Sequence, residues 1–265
     1  FIILNSDDEW FEYFNKFKAS EQKITYGSNE DAEVRITDAT LYKRGSEAKI
    51  IIDNNVNLEV ATNLPGKFNI YNMTAISAAY LLGISLEDIQ NGVANLEAIS
   101  GRFERAVEGL PFEVIVDYAH TPDGLEKLLE ASKNITKGRT ILVFGACGDR
   151  DRAKRPIMGE IAKKLADRVI LTDEENYTES AEQIREEIKS GMGKKLPASV
   201  EEIPDRRKAI EKALRIAGKG DTILITGLGH EVFRIIDGKK VPWNDSEIAR
   251  EIATEIFKQK ISSKK

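Results

Sequence analysis

The sequence predicts an α/β protein in two parts, and three observations carry the prediction. Over residues 101–265, four apolar, β-branched runs (EVIVDY, TILVFGA, RVILT and TILITG) alternate with stretches of helical periodicity near 122–133, 156–166, 179–190 and 205–217. Near-continuous apolar strands between helices imply a mostly parallel sheet with helices on both faces. Over residues 1–100 the pattern differs, with short alternating segments first and helices rich in small residues after them. At 265 residues and 41% hydrophobic content, the chain is long enough for two cores. The expected domains are therefore 1–100 and 101–265.

In chain order, FIILN reads as a short strand, and SDDEW supplies N-cap candidates for a helix over 8–17. With no initiator methionine and a strand at once, the chain is expected to begin inside a domain. ITYG, EVRITDATLY, AKIIID and NLEVA, separated by Gly, Asn and Asp, read as antiparallel strands, with a hairpin turn at Asn54-Asn55. LPGKFNIYNMTAISAAYLLG predicts a helix over 69–82, closely packed through Ala75, Ala78 and Ala79 and ended by Gly83. Ser85 caps the next helix, and a last one over 246–258 precedes a lysine-rich tail.

No stretch approaches the roughly 20 apolar residues that span a bilayer, and FIILNSDDEW lacks the features of a signal peptide. The single cysteine, Cys147, excludes an intrachain disulfide and any multi-cysteine metal site. A cytoplasmic monomer is expected. The net charge of −5 argues against a general nucleic-acid binder, so an anionic ligand needs local positive charge, for which Arg150, Arg152, Lys154 and Arg155 are the candidates. No G-x-x-x-x-G-K-[ST] phosphate loop is present.

In an open parallel sheet, ligands bind outside the carboxyl ends of the strands. The unusual residues fall there: Asp117, Tyr118 and His120 after the first run, GACGDRD after the second, TDEENY after the third and GLGHE after the fourth. Thr121 and Pro122 form a helix cap, and Asp123 suits the helix dipole. Asp117, ending an apolar strand, requires a partner, either a protein donor or a ligand. His120 is either satisfied locally or beside a ligand. In GACGDRDRAKRP the glycines permit close approach, and Arg150, flanked by Asp149 and Asp151 ahead of a helix begun by Pro156, suits bidentate capture of a carboxylate. Arg152 and Lys154 fit a solvated loop. Asp173, Glu174 and Glu175 suit an ammonium, or equally the first turn of a helix at Thr178. Nothing argues for a lowered pKa at Cys147, which is not read as a nucleophile.

Together, PGKFNIYNMTA, GRFERA, VDYAHTPD, GDRDRAKRP and GLGHE resemble the Mur ligases of peptidoglycan synthesis, in particular the branch that adds the third residue of the peptide. The resemblance covers essentially the whole chain. It implies the latter part of a central ATP-binding α/β domain over 1–100 and a C-terminal Rossmann-like domain over 101–265. It also implies an ATP-dependent acid–amino-acid ligase of cell-wall biogenesis, hence of cell shape and division. Its co-substrate would be ATP with Mg2+ held mostly outside these residues, and its partners UDP-N-acetylmuramoyl-L-alanyl-D-glutamate and a free amino acid. Motif by motif, Asn69, Asn72, Arg102 and Asp117 fall where the family contacts the nucleotide, with His120 in the same motif. Arg150 falls where it holds the α-carboxylate of the incoming amino acid, and Gly227 and Glu231 where it contacts the far end of that substrate. No catalytic or metal-binding residue is assigned, and the 265 residues alone are expected to be inactive.

The third loop departs from the family pattern. Members that add diaminopimelate carry Asp-Asn-Pro-Arg, and the ungapped match here is Glu174-Glu175-Asn176-Tyr177. With Tyr177 replacing the arginine and two carboxylates gained, the expectation is a dibasic amino acid, lysine or ornithine, whose ammonium meets Glu174 or Glu175. Two alternatives stay open: a folylpolyglutamate or cyanophycin synthetase, which shares an Asp-x-Ala-His-x-Pro turn, and a non-catalytic module that binds an amino acid or nucleotide.

Overall fold

The structure, a computed structural model, describes residues 1–19, 21–96 and 99–261. The chain separates into two compact units, Phe1–Ala98 and Ile99–Lys265. No helix among the described residues is long and apolar enough to cross a membrane.

The first unit contains β1 (Ile2–Asn5), α1 (Phe11–Phe14), β2 (Lys23–Gly27), β3 (Val34–Tyr42), β4 (Gly45–Ile52), β5 (Val56–Thr62), α2 (Lys67–Ser77), a 3₁₀ segment (Ala78–Leu82) and α3 (Leu86–Ala94). Its five strands lie in sequence order. Only β3, β4 and β5 are antiparallel; ITYG, expected to be antiparallel, lies in β2 and runs parallel to both β1 and β3. Alternation reports a half-buried strand and not its direction. Direction is set by the loops: the Asp7 carboxylate, after β1, accepts the Ser28 N–H and hydroxyl at 2.7 and 2.6 Å and so holds the exit of β2 beside that of β1.

Three further expectations are corrected in this unit. The helix over 8–17 shrinks to α1, because Trp10, Tyr13, Phe14 and Phe17 are all exposed and no apolar face is buried to support more turns. The helix over 69–82 gives way to 3₁₀ geometry after Ser77, where the Thr74 and Ser77 hydroxyls each donate to a carbonyl one turn back at 2.8 Å, a contact that bends helices. The hairpin turn is centred on Asp53-Asn54, one residue early, with φ of 49° and 57°. Ile24, Val34, Ile50, Ile52, Val60, Ile70, Met73 and Ile89 form the core.

The second unit contains β6 (Glu104–Val107), β7 (Glu113–Asp117), α4 (Pro122–Lys133), β8 (Thr140–Phe144), α5 (Lys154–Leu165), β9 (Arg168–Leu171), α6 (Ala181–Ser190) and β10 (Val200–Glu202). It continues with α7 (Arg206–Ile216), β11 (Thr222–Thr226), β12 (Phe233–Ile236), β13 (Lys239–Pro242) and α8 (Asp245–Ile261). The main sheet has the order β10-β9-β8-β11-β7-β6, parallel except for the edge strand β6. The four predicted strands are β9, β8, β11 and β7, its interior. Every residue of β8 and β11 is buried, the reason they read as unbroken apolar runs.

Val114, Val116, Ile141, Val143, Ile223 and Ile225 share a core with Ala209 and Ile210 of α7 and Ala249 and Ile252 of α8. Alternate strand positions, Ile115, Leu142 and Leu224, are also fully buried, and α4, α5 and α6 pack in series as a second helical layer. Each such aliphatic side chain contributes about 1.5–3 kcal/mol by leaving water. Helix α5 begins at Lys154 and not at Pro156, because the Asp151 carboxylate accepts the Ala153 N–H at 2.9 Å and starts the turn earlier. Helix α6 is capped by the Ser180 hydroxyl, while the Thr178 hydroxyl is drawn away to Asp149.

Candidate active site

At the carboxyl ends of β7, β8, β9 and β11 lies a cavity of about 520 Å³, all within the second unit. Its first wall follows β7. Asp117 is buried, and its two oxygens accept the N–H groups of Phe103 at 2.7 Å and Ala119 at 2.8 Å. Burial pushes its pKa up, and the two N–H donors and Arg102 pull it back. Its partners are thus backbone donors, and they fix the turn that carries Arg102. That turn is close-packed: Gly101 has φ of +64°, and a Cβ there would collide with the backbone of Gly229 and His230. The Arg102 guanidinium lies 4.9 Å over the Tyr118 ring, with the rings of His120 and His230 at 4.6 and 5.1 Å from it. His120 Nδ1 is 2.8 Å from the Tyr118 carbonyl, which can only accept, so Nδ1 carries the hydrogen. Thr121 caps α4 through the Gly124 N–H as expected.

The loop after β8 is organised by Arg155, which the sequence placed among the candidate anion-binding cations. It is fully buried, donating to Glu179 at 2.8 and 2.9 Å, to Glu187 at 2.6 Å and to the Cys147 carbonyl at 2.9 Å. The Arg155 hydrogen bonds hold the Glu179 carboxyl down to about 2. Glu179 in turn accepts the Asp149 N–H, and the Asp149 carboxylate binds the Thr178 hydroxyl. Asp149 therefore does not bracket Arg150 as expected; the Arg150 guanidinium donates to the Asp149 carbonyl at 3.1 Å and lies 5.1 Å over the Tyr177 ring. Arg152 is exposed and paired with Glu187, in keeping with a solvated loop, whereas Lys154 turns into the cavity wall and donates to the His120 carbonyl at 2.8 Å. The sequence named Lys154 among the candidate cations but fitted it to a solvated loop; the signal against that was its place just after the glycine-rich loop, two residues before Pro156.

The acidic loop after β9 behaves differently from its expectation. Asp173 is bound by Arg185 and lies away from the cavity, as do Glu174 and Asn176. Glu174 is buried beneath Gly227, where any Cβ would strike its carboxylate, and it accepts the Cys147 thiol at 3.0 Å. Burial pushes the Glu174 pKa up, opposed chiefly by Arg206. Asn176 bridges Asp237, donating to its carboxylate at 2.7 Å and accepting its N–H at 2.9 Å. Glu175 lines the cavity but accepts the Ile235 N–H at 2.9 Å and the Tyr177 hydroxyl at 3.1 Å. Burial and Glu175 push the Tyr177 phenol up to about 12. The Cys147 thiol is likewise pushed up by burial and Glu174, so it is no nucleophile.

After β11, Gly227 (φ +109°), Leu228 and Glu231 complete the wall. In the first unit, Asn69 is buried on α2, donating to the Pro65 carbonyl at 2.8 Å and accepting from exposed Asn72 at 3.2 Å. Of the residues that the sequence assigned to nucleotide or amino acid, His120, Arg150, Glu175, Tyr177, Gly227 and Glu231 line the cavity, and Arg102, Asp117, Asp173, Glu174 and Asn176 do not.

Comparison with known proteins bears on this geometry. Residues 101–229 match the glutamate ligase domain of Mur ligases, and residues 1–80 match the Mur ligase middle domain. A protein of Clostridium acetobutylicum named UDP-N-acetylmuramoyl-L-alanyl-D-glutamate–2,6-diaminopimelate ligase 1 is 40% identical over 258 residues, 96% of this chain and 52% of the relative. A Fusobacterium nucleatum protein named as the same kind of ligase is 43% identical over 257 residues, 94% of this chain and 50% of its own length. A solved structure of a ligase with that name has a TM-score of 0.59 at 31% identity, covering 96% of this chain and 53% of that one. The chain thus spans about half the length of the relatives it matches.

The relatives' names contradict the expectation of lysine or ornithine, being drawn from 2,6-diaminopimelate. The physical reason is visible: Glu174 is sealed under Gly227 and Glu175 is engaged by Ile235 and Tyr177, so neither gained carboxylate waits for an ammonium. With both matched regions in order along one chain, it belongs to the Mur ligase family.

Proposed function

We propose that this chain is part of an ATP-dependent amide ligase that adds 2,6-diaminopimelate, as third residue, to UDP-N-acetylmuramoyl-L-alanyl-D-glutamate in cytoplasmic peptidoglycan precursor synthesis. The observation that carries the reading is the cavity at the strand ends. It presents the Arg150 guanidinium, without a carboxylate partner among the described residues, in one loop and the Glu231 carboxylate in another. That pairing suits an amino acid, whose carboxylate and ammonium need opposite charges at a fixed separation.

ATP supplies activation, turning the terminal carboxylate of the muramoyl dipeptide into an acyl phosphate. The residues of this chain position and neutralise. Arg150 holds the α-carboxylate of the incoming amino acid, which orients its neutral amine toward the acyl carbon. The amine attacks, a tetrahedral centre forms, and phosphate leaves with the C–O bond pair as the amine loses its proton. Gly227 and Glu231 receive the far end of the amino acid. Asn69, Asn72, Arg102, Asp117 and His120 are assigned to the nucleotide. Asp117 fits that task, since one N–H bond to each oxygen leaves a lone pair on each for a ligand hydroxyl or amine. No residue of this chain is assigned to Mg2+.

The test is ligation by the gene product containing this chain, supplied with the muramoyl dipeptide, ATP, Mg2+ and labelled meso-diaminopimelate. The expected product is the UDP-muramoyl tripeptide with one phosphate released per bond. Ligation of glutamate to a folate, or binding without ligation, overturns the reading. The 265-residue chain alone is expected to release no phosphate.

A further inference from the structure

We propose that Lys154 binds the second carboxylate of the incoming amino acid. The inference rests on the function proposed above and deepens it. Residues 150–155 carry four cations. Arg152 is paired with Glu187, and Arg155 with Glu179 and Glu187. Arg150 and Lys154 have no carboxylate within ion-pair distance among the described residues, and these two line the cavity. The pattern separates the structural cations of this segment from those left open to a ligand. Lys154 Nζ donates once, to the His120 carbonyl at 2.8 Å, which holds the ammonium in the wall and leaves two of its three hydrogens.

The carboxylates of the cavity complete the inventory. Asp151 accepts the Ala153 N–H, and Glu175 accepts the Ile235 N–H and the Tyr177 hydroxyl. Among the cavity's carboxylates, Glu231 alone has no hydrogen bond or ion pair among the described residues; burial pushes the Tyr118 phenol up, and the nearby Glu231 adds to it. The cavity therefore leaves two cations and one carboxylate open. Diaminopimelate, with its attacking amine neutral, carries two carboxylates and one ammonium, the same set with signs reversed. Lysine in the same pose carries one carboxylate and one ammonium and leaves Lys154 without a partner. Tyr177 contributes by holding Glu175 in the wall through its hydroxyl, so that this carboxylate is not offered to the ligand.

The test is titration of the gene product containing this chain, and of its Lys154→Met and Lys154→Arg variants, with meso-diaminopimelate and with lysine, followed by calorimetry or NMR. Lys154→Met is expected to raise the Kd for diaminopimelate about tenfold or more and that for lysine less than about twofold, with Lys154→Arg retaining most of the affinity. A loss shared equally by both ligands means that Lys154 acts only through the His120 carbonyl. That result, or no change with either ligand, overturns this proposal and leaves the proposed function standing. An unsubstituted chain that does not bind diaminopimelate overturns both.

Discussion

At the scale of single residues, the second unit is governed by pairs that lie far apart in sequence. Arg206 and Asp245 are each 0% exposed; the guanidinium meets the carboxylate at 2.8 and 2.6 Å and also donates to the Thr226 carbonyl, while Trp243 Nε1 donates to Asp245. Removing one member leaves a buried charge alone, so Arg206→Met is expected to destabilise by about 3–5 kcal/mol, and the double change with Asp245→Leu to recover much of it. Urea unfolding of the single and double variants gives both numbers. Nothing in the sequence links these two residues, which lie 39 positions apart. What it could not show is that Arg155 would find Glu179 and Glu187, 24 and 32 positions away, and so cease to be an anion site. Lys154, one residue earlier, was read as solvated for the same reason: which cation is paired depends on contacts made only after folding.

At the scale of elements, local signals were legible wherever one residue does the work. The caps at Ser85 and Thr121 were each assigned from the sequence and each accepts a first-turn N–H. Ser85→Ala is expected to cost about 1 kcal/mol in thermal unfolding. Gly101→Ala is a harsher change, since it adds both a left-handed φ and a collision with rigid backbone; a loss above about 1–2 kcal/mol is expected, with weakened packing around Asp117 visible in amide exchange. Fully buried strands were legible as apolar runs. The short strands β6, β10, β12 and β13 were not, because their partly exposed residues carry no such run. One clue went unused: Asp237-Gly238, with φ of 49° and 73°, is a two-residue turn of the kind that joins hairpin strands. The direction of β2 had no local signal at all, since it depends on where Asp7 holds Ser28.

At the scale of the whole molecule, the two-part α/β organisation was legible because each unit has its own apolar pattern and buries its own cluster. The substrate was not, because two added carboxylates look the same in a sequence whether they face a ligand or the protein. Stability should depend on acid in a defined window. Glu179 is held down to about 2 from its ordinary 4.5, first by the Arg155 hydrogen bonds, so its contribution is fully present above pH 4.5 and is lost as pH falls toward 2. In Glu179→Gln, that part of the slope of unfolding free energy against pH is expected to disappear.

The small ribbon of β12 and β13 has a wider consequence. Its register with the rest of the unit is held where Glu175 and Asn176 meet Ile235 and Asp237, while every residue of β13 is exposed and the main sheet is complete without it. One residue of the cavity wall, Glu175, is therefore held from outside the main sheet, by a backbone N–H of the ribbon. A change in the ribbon that moves the Ile235 N–H would free the Glu175 carboxylate while leaving the six-stranded sheet intact, so the wall can be altered without touching the core.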